Sequence, residues 1–543
     1  MTLAGGDNCV VFSLAEPGST VTLQVRVWDF SQFPTYEAAV GNGKTGASTP
    51  FGYTIPPPGS APVDVCMEGL RAFALVAPGE VSCPGVFAIA NNPATAESTF
   101  FPGASSGSNY LVSMLADTNI TAQLVSSNGA LAGSALTLGG SRAFPRAAFG
   151  NTNYLVAWSD EFLTSEVHTF GQFISPGGIK VGSPFPLATN DSLEIQGLAF
   201  DGINFLAILA DEMSGERRFY GQLVSSAATL SGPAFLISDQ QGNGANPAVA
   251  FGRTNYLVAW QSTEGIDANS NHTFGAFVSI EGSVSAPFRI SESASLDGNP
   301  LAVGFDHTNY FVVWNKDTQR DSNGSPLDFH LYGRIISPAG IFQGDEVALV
   351  NNPGNQRFPN LGFDGVNYLL SWSDQLGTAS SAIKHQFFTG AGQSMGVQFS
   401  VFTTQSSSRP YLGGTVFGGN QFLAVGNLGT PTLTNLAYTT SDVYGKLIPS
   451  SIAPPKLTIV GLSSNGQFGF ALTGTPGINY AILAATNVVC GPYLPCLVAP
   501  CPPPICAARW STVFTTNSPC GSIDIIDPDS PVFSHRIYRV VKE

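Results

Sequence analysis

The chain has 543 residues, 43% of them hydrophobic and only 11% charged, with 60 Gly, 38 Pro and 38 Phe. That length exceeds what one core holds, so several domains are expected, and so many turn formers suit short strands rather than helices. A formal net charge of -15 excludes a basic stripe for nucleic-acid phosphates or an anionic membrane, and no apolar run of about 20 residues offers a transmembrane helix.

Residues 1–80 open with Met1-Thr2-Leu3-Ala4, which has neither the basic nor the apolar part of a secretion signal. The start therefore reads as internal to a longer product. Val21-Thr22-Leu23-Gln24-Val25-Arg26-Val27-Trp28 alternates with period two, as a half-buried strand does. The segment reads as part of a β-sandwich, incomplete at its N-terminus, with Pro56-Pro57-Pro58-Gly59 as a turn.

Residues 81–453 carry a repeat. The phrase Asn153-Tyr154-Leu155-Val156-Ala157-Trp158 recurs, with variations, from 109, 204, 255, 309, 367 and 421. A period of roughly 50 residues built only of strand-like segments points to propeller blades, seven of them. Each phrase follows a short strand such as Ala147-Ala148-Phe149 and a tight turn such as Asp201-Gly202. A third strand carries aromatic-Gly (Phe170-Gly171, Tyr220-Gly221, Phe274-Gly275, Tyr332-Gly333, Tyr444-Gly445), and a fourth follows, as in Phe235-Leu236-Ile237. The seventh unit lacks an obvious fourth strand, whereas Val86-Phe87-Ala88-Ile89-Ala90 is spare at the front. Pairing the two would close the ring and remove its open edges. A β-solenoid is the rival architecture, but it repeats over fewer residues and needs no spare strand.

The motif aromatics, including Tyr154, Tyr256, Trp158 and Trp260, recur at one strand position, as packing between blades requires. His168, His272 and His330 share a slot three residues before the third-strand Gly, with Arg218 and Asp442 in the same slot elsewhere. They read as polar caps, because third strands of different blades lie too far apart to share one metal ion. The connections from second to third strand are acidic. Asp160, Glu161, Asp211, Glu212, Glu264, Asp267, Asp317 and Asp321 lie there, on one face with the links between units. Long loops on a rigid scaffold are where recognition usually sits. These eight acids are the candidate binding residues, for a basic or polyhydroxyl partner with Ca²⁺ as a bridging ion; the plainer reading is that they keep the surface soluble. No catalytic motif and no cofactor motif is recognisable: the chain has no Gly-x-Ser-x-Gly, HExxH, phosphate loop or EF-hand loop.

Residues 454–543 form a further β-sandwich module rich in cysteine. Cys490, Cys496, Cys501, Cys506 and Cys520 lie here, and Cys9, Cys66 and Cys83 lie near the other end. Even in number and absent from the repeat, they read as disulfides of an oxidising compartment, with the pairing open; a zinc site, the alternative, lacks CxxC spacing. Phe468-Gly469-Phe470-Ala471-Leu472, Gly477-Ile478-Asn479-Tyr480, Trp510-Ser511-Thr512-Val513 and Arg536-Ile537-Tyr538-Arg539 follow in order. They resemble the C-terminal Arg-x-Tyr-Arg module of multi-domain secreted and cell-surface β-propeller repeat proteins of environmental bacteria. Ile537 stands where Phe is usual, and the segment from Cys490 to Cys506 is an insert. Val27-Trp28-Asp29, Tyr36-Glu37-Ala38-Ala39 and Gly69-Leu70-Arg71-Ala72-Phe73 resemble a module of similar proteins.

The expectation is thus an all-β protein: a seven-bladed β-propeller flanked by small β-sandwich modules. Its expected place is extracellular or at the cell surface. Its expected role is a non-catalytic binding scaffold for a surface protein or carbohydrate, with oligomeric state open. A structural subunit of a surface layer or filament is one alternative. A polysaccharide-active enzyme with its site at the propeller channel is the other.

Overall fold

The computed structural model describes mainly the strands and tight turns between residues 86 and 451, most strands of 455–542, and four short strands before residue 55. The described residues are all β. Seven antiparallel sheets, six of them each built from one continuous stretch of chain, form a seven-bladed β-propeller. Blade 2 shows the plan: Arg146–Gly150, Asn153–Glu161, Val167–Ile174 and Lys180–Pro186 pair in sequence order. First strands of successive blades touch each other around the ring, so they line the central channel. The fourth strands lie outermost.

The recurring phrase forms the second strand and is buried on both faces. In blade 3, Leu206, Ile208 and Ala210 pack with Tyr256, Val258 and Trp260 of blade 4, while Phe205, Ala207 and Leu209 pack with Leu155 and Ala157 of blade 2. Period-two alternation places successive side chains on opposite faces. An unbroken apolar run therefore serves two seams at once. Close approach explains a glycine after the first strand: a Cβ on Gly252 would lie 2.2 Å from the Tyr310 hydroxyl of blade 5.

The third and fourth strands carry a second recurrent device. Gly182, Gly232 and Gly396 have positive φ and break the register of the fourth strand. A glutamine from the third strand reaches each break: Gln172 Nε2 donates to the Gly182 carbonyl at 3.2 Å and Gln222 Nε2 to the Gly232 carbonyl at 3.0 Å. A bulge leaves a carbonyl without its ladder partner, and the amide supplies one.

The ring closes with a strand from far away in sequence. Phe87–Ala90 is the fourth strand of the seventh sheet, with Tyr444 opposite Ala88 and Gly445 opposite Phe87. Ile89 joins Tyr110, Val112, Leu423 and Val425 in the core between blades 7 and 1.

Residues 85–543 form one compact unit and residues 1–84 another. Beyond the propeller, Lys456–Leu462, Phe468–Thr473 and Ser522–Asp527 make one three-stranded antiparallel sheet. Ser511–Asn517, Asn479–Ala485 and Ile537–Lys542 make a second. The two sheets share a cluster of Phe470, Leu472, Tyr480, Ile482 and Ile525. Val488–Cys490 pairs with Cys506–Ala508, which sets Cys490 directly across from Cys506. The other six cysteines lie outside the described residues. In the first unit, Thr20–Leu23 pairs with Phe51–Thr54 and Arg26–Trp28 with Thr45–Ala47, as two separate two-stranded sheets; the other residues of 1–80, where a sandwich is expected, lie outside the described residues. Among the described residues no helix is long and apolar enough to cross a membrane.

Candidate functional site

The two faces of the ring use their polar side chains differently. On one face lie the tight turns from first to second and from third to fourth strand. There the phrase Asn ties blades together: Asn109 Nδ2 donates to the Pro176 carbonyl and Asn255 Nδ2 to the Pro338 carbonyl, both at 3.0 Å. Its backbone carbonyl accepts from the Tyr of the next blade, Tyr154 to Asn109 at 2.7 Å and Tyr310 to Asn255 at 2.6 Å. Tyr110 makes the matching bond to Gln421 at 2.9 Å across the closing seam. Burial pushes the Tyr110, Tyr256, Tyr310 and Tyr368 hydroxyls above the ordinary tyrosine range, so they stay protonated and can donate.

The opposite ends of the second strands lead into the longer connections, and the described acids among those singled out from sequence, Asp160, Glu161, Asp211 and Asp317, lie at or near those ends. Asp160, at the end of the blade 2 phrase strand, is the register partner of His168. Burial raises its carboxyl pKa; the His168 charge and the Trp158 indole act in the opposite direction. Asp211 occupies the same place in blade 3, across from Arg218. The recurrent His/Arg slot is thus a cross-strand slot within each blade, continued by Ser262 opposite His272, Lys316 opposite His330 and Leu428 opposite Asp442. Asp317 is buried at 7% exposure, too little for direct contact with a large partner. Glu161 ends its strand opposite Val167. Glu212, Glu264, Asp267 and Asp321 lie outside the described residues. Among the described residues no three His, Cys, Asp or Glu side chains come together to hold a metal ion such as Ca²⁺.

Blade 6 holds a concentration of buried polar groups that the repeat pattern alone does not announce. Phe311, Val313 and Leu331 of blade 5 pack against Tyr368, Leu370 and Trp372 of blade 6. By strand alternation Asn315 and Asp317 face the same seam from blade 5, and Asp374 faces it from blade 6. Asp374 forms a buried ion pair with Lys384 and accepts from Gln356 Nε2 at 3.1 Å. Asn315 is fully buried, and neither of its amide atoms has a hydrogen-bond partner. The Arg357 guanidinium lies 4.0 Å from the Phe329 ring centre. Phe358, next in the chain, has φ 56 within an irregular stretch of the channel strand Asn355–Phe363. Every other non-Gly residue with positive φ among those described stands in a turn between strands: Asn151, Ala228, Arg253, His307 and Asn420. A bulky residue held in that region costs on the order of 1–3 kcal/mol.

Towards blade 7 the same blade replaces the aliphatic–Gly pair of blades 2 to 5 and 7 with Ser371 opposite His385. Ser371 Oγ lies 2.7 Å from His385 Nδ1 and 2.6 Å from Thr415 Oγ1, and the Thr415 amide donates to Asn360 Oδ1 at 2.8 Å. A Ser–His contact is the geometry of an activated nucleophile. Here both residues are fully buried, and burial holds the His385 pKa down at about 3. No substrate reaches such a pair in this conformation; it is a neutral hydrogen-bonded core contact. Its sequence signal is the break in pattern at Lys384-His385, where five of the other six third strands carry aromatic-Gly.

No known family profile matches the chain, and neither does any curated protein. Solved structures similar to it include a Mycobacterium tuberculosis puromycin-hydrolysing peptidase, with a TM-score of 0.38 and 12% identity over 73% of this chain and 61% of that one. The chain thus spans less than two thirds of that peptidase. Kuenenia stuttgartiensis hydrazine synthase gives a TM-score of 0.39 at 13% identity, over 66% of this chain and 97% of that one. A xylan β-1,4-xylosidase from Bacillus halodurans gives 0.30 at 9% identity, over 54% and 73%. Likeness of this extent carries no activity over to this chain.

Proposed function

We propose that the protein is a non-catalytic binding scaffold that works outside the cell or on its surface, and that its recognition face is the one with the long connections. The carrying observation is the division of labour between the two faces. The Asn and Tyr groups of the tight-turn face are committed to holding blades together. The second strands of blades 2 to 5 end on the opposite face, and the segments that follow them, 162–166, 212–217, 264–270 and 321–325, differ in length and sequence on one repeated frame. The partner is a surface protein or carbohydrate, and the acids of these connections contribute to its capture. The cysteines serve as disulfides in this reading, and the register of Cys490 with Cys506 supports that pair as the first to test.

The test separates binding from turnover. Immobilised polysaccharides and surface proteins are presented to the purified chain, and both retention and released fragments are measured. Retention without new reducing ends or peptides is the expected result. Release of fragments would favour the channel enzyme, and spontaneous assembly without any partner would favour the structural subunit.

A further inference from the structure

We propose that the tight-turn face of blade 6 is the docking surface of the chain's own C-terminal module, and that Asp364 is the latch that makes the two unfold together. Asp364 stands in the turn between the strands Asn355–Phe363 and Asn367–Leu376. One carboxylate oxygen, Oδ1, caps that turn, accepting from the Val366 amide at 3.0 Å and the Asn367 amide at 2.8 Å. Asp201 and Asp306 cap the equivalent turns of blades 3 and 5 in the same way. Asp364 alone of the three is seen to extend its second oxygen beyond the ring of blades. Oδ2 accepts from the Ser451 amide at 2.7 Å and from the Ser451 hydroxyl, and Asn367 Nδ2 donates to that hydroxyl at 2.9 Å.

The bonds continue into the module. The Ser450 carbonyl accepts from Thr475 Oγ1 at 2.8 Å, and the Thr475 amide donates to the Tyr480 hydroxyl at 2.8 Å. Tyr480 sits in the module's core with Phe470, Leu472, Ile482 and Ile525. Met395, from the outer strand of blade 6, packs on that same core. Asp364, Ser450, Ser451 and Thr475 are exposed by 4%, 1%, 1% and 0%. A buried carboxylate bonded by two donors from the following segment is a strong tie, because breaking it strands a charge away from water. A flexible tether between independent domains would be polar, exposed and free of such bonds.

Asp364→Asn tests this in the full chain. It keeps an oxygen for the turn cap but presents an NH2 group to the Ser451 amide. Asp306→Asn controls for effects on the turn itself, and Ser451→Ala provides a milder cut of the same latch. Hydrogen exchange is followed in the strands Lys456–Leu462 and Phe468–Thr473 alongside the propeller strands, together with calorimetry. In the wild type the module and the propeller should exchange and melt as one unit. Asp364→Asn and Ser451→Ala should speed exchange in the module strands by about tenfold or more and split off a module transition, with blade 2 unaffected. Separate module and propeller transitions in the wild type would overturn the proposal. So would module exchange in both latch variants that matches Asp306→Asn.

Discussion

A tyrosine hydroxyl buried between two blades must find an acceptor or weaken the seam. Tyr310 finds the Asn255 carbonyl of the preceding blade at 2.6 Å, and Tyr154 and Tyr256 find the equivalent carbonyls. Tyr310→Phe keeps the ring and removes one hydrogen bond, and should cost about 1 kcal/mol in denaturant unfolding. Trp260 is 1% exposed and meets Phe219 of blade 3 at 6.1 Å between ring centres. Trp260→Ala should cost roughly 3–5 kcal/mol, the range for emptying a large core site; an unchanged midpoint would place Trp260 outside the core. His385 makes a pH prediction. Its folded pKa of about 3 lies below the ordinary histidine value, so the unfolded chain binds a proton that the folded chain refuses. The contribution is fully present above about pH 6.5 and is lost as pH falls from there towards the folded value. His385→Gln should flatten that part of the stability profile, read as unfolding midpoints between pH 7 and pH 4.

At the scale of elements, the phrase strands were legible because one physical demand, burial on both faces, repeats at a near-constant spacing. Tyr154, Trp158 and their equivalents carry that signal undiluted; Tyr154 and Trp158 are exposed by only 0% and 2%. Phe87–Ala90 was legible for a different reason: a strand-like segment was left over at one end of the repeat and missing at the other. Blade 6 was harder to read, since Lys384 and His385 interrupt the aromatic-Gly pattern and meet their partners Asp374, Ser371 and Thr415 only through cross-strand and cross-blade contacts. The pairing of Asp160 with His168 and of Asp211 with Arg218 was hidden too, because it depends on register across connections of unequal length. The role of Gln172 and Gln222 is not legible in the sequence, because it is local to a bulge that only the backbone reveals. The closing strand gives the prediction at this scale. Ile89 is 4% exposed in the seam of blades 7 and 1. Ile89→Asp would bury an unpaired charge there, at roughly 3–5 kcal/mol. Limited proteolysis should then cut first within residues 411–449, the other strands of blade 7, while blades 3 and 4 stay protected.

On the scale of the whole molecule, seven near-equivalent sheets make a rigid frame with two unlike faces. One face is held together by its own turns, and at blade 6 it also receives the C-terminal module. At the other the second strands of blades 2 to 5 end, and the buried polar groups of the seam between blades 5 and 6 lie towards that side. A frame of this kind tolerates change in its connections without loss of fold, which is what a recognition surface requires.

The decisive measurement compares the two faces in the same binding assay. Two variants are set beside the wild type on the immobilised polysaccharides and surface proteins. One replaces 264–270 and 321–325 with Gly-Ser segments of equal length. The other carries Ile203→Asp and Ile341→Asp on the tight-turn face, where these side chains are 67% and 62% exposed. With melting temperatures matched, the account predicts that the first variant loses retention and the second keeps it. Full retention by the first variant, with loss in the second, would place recognition on the opposite face and contradict the account.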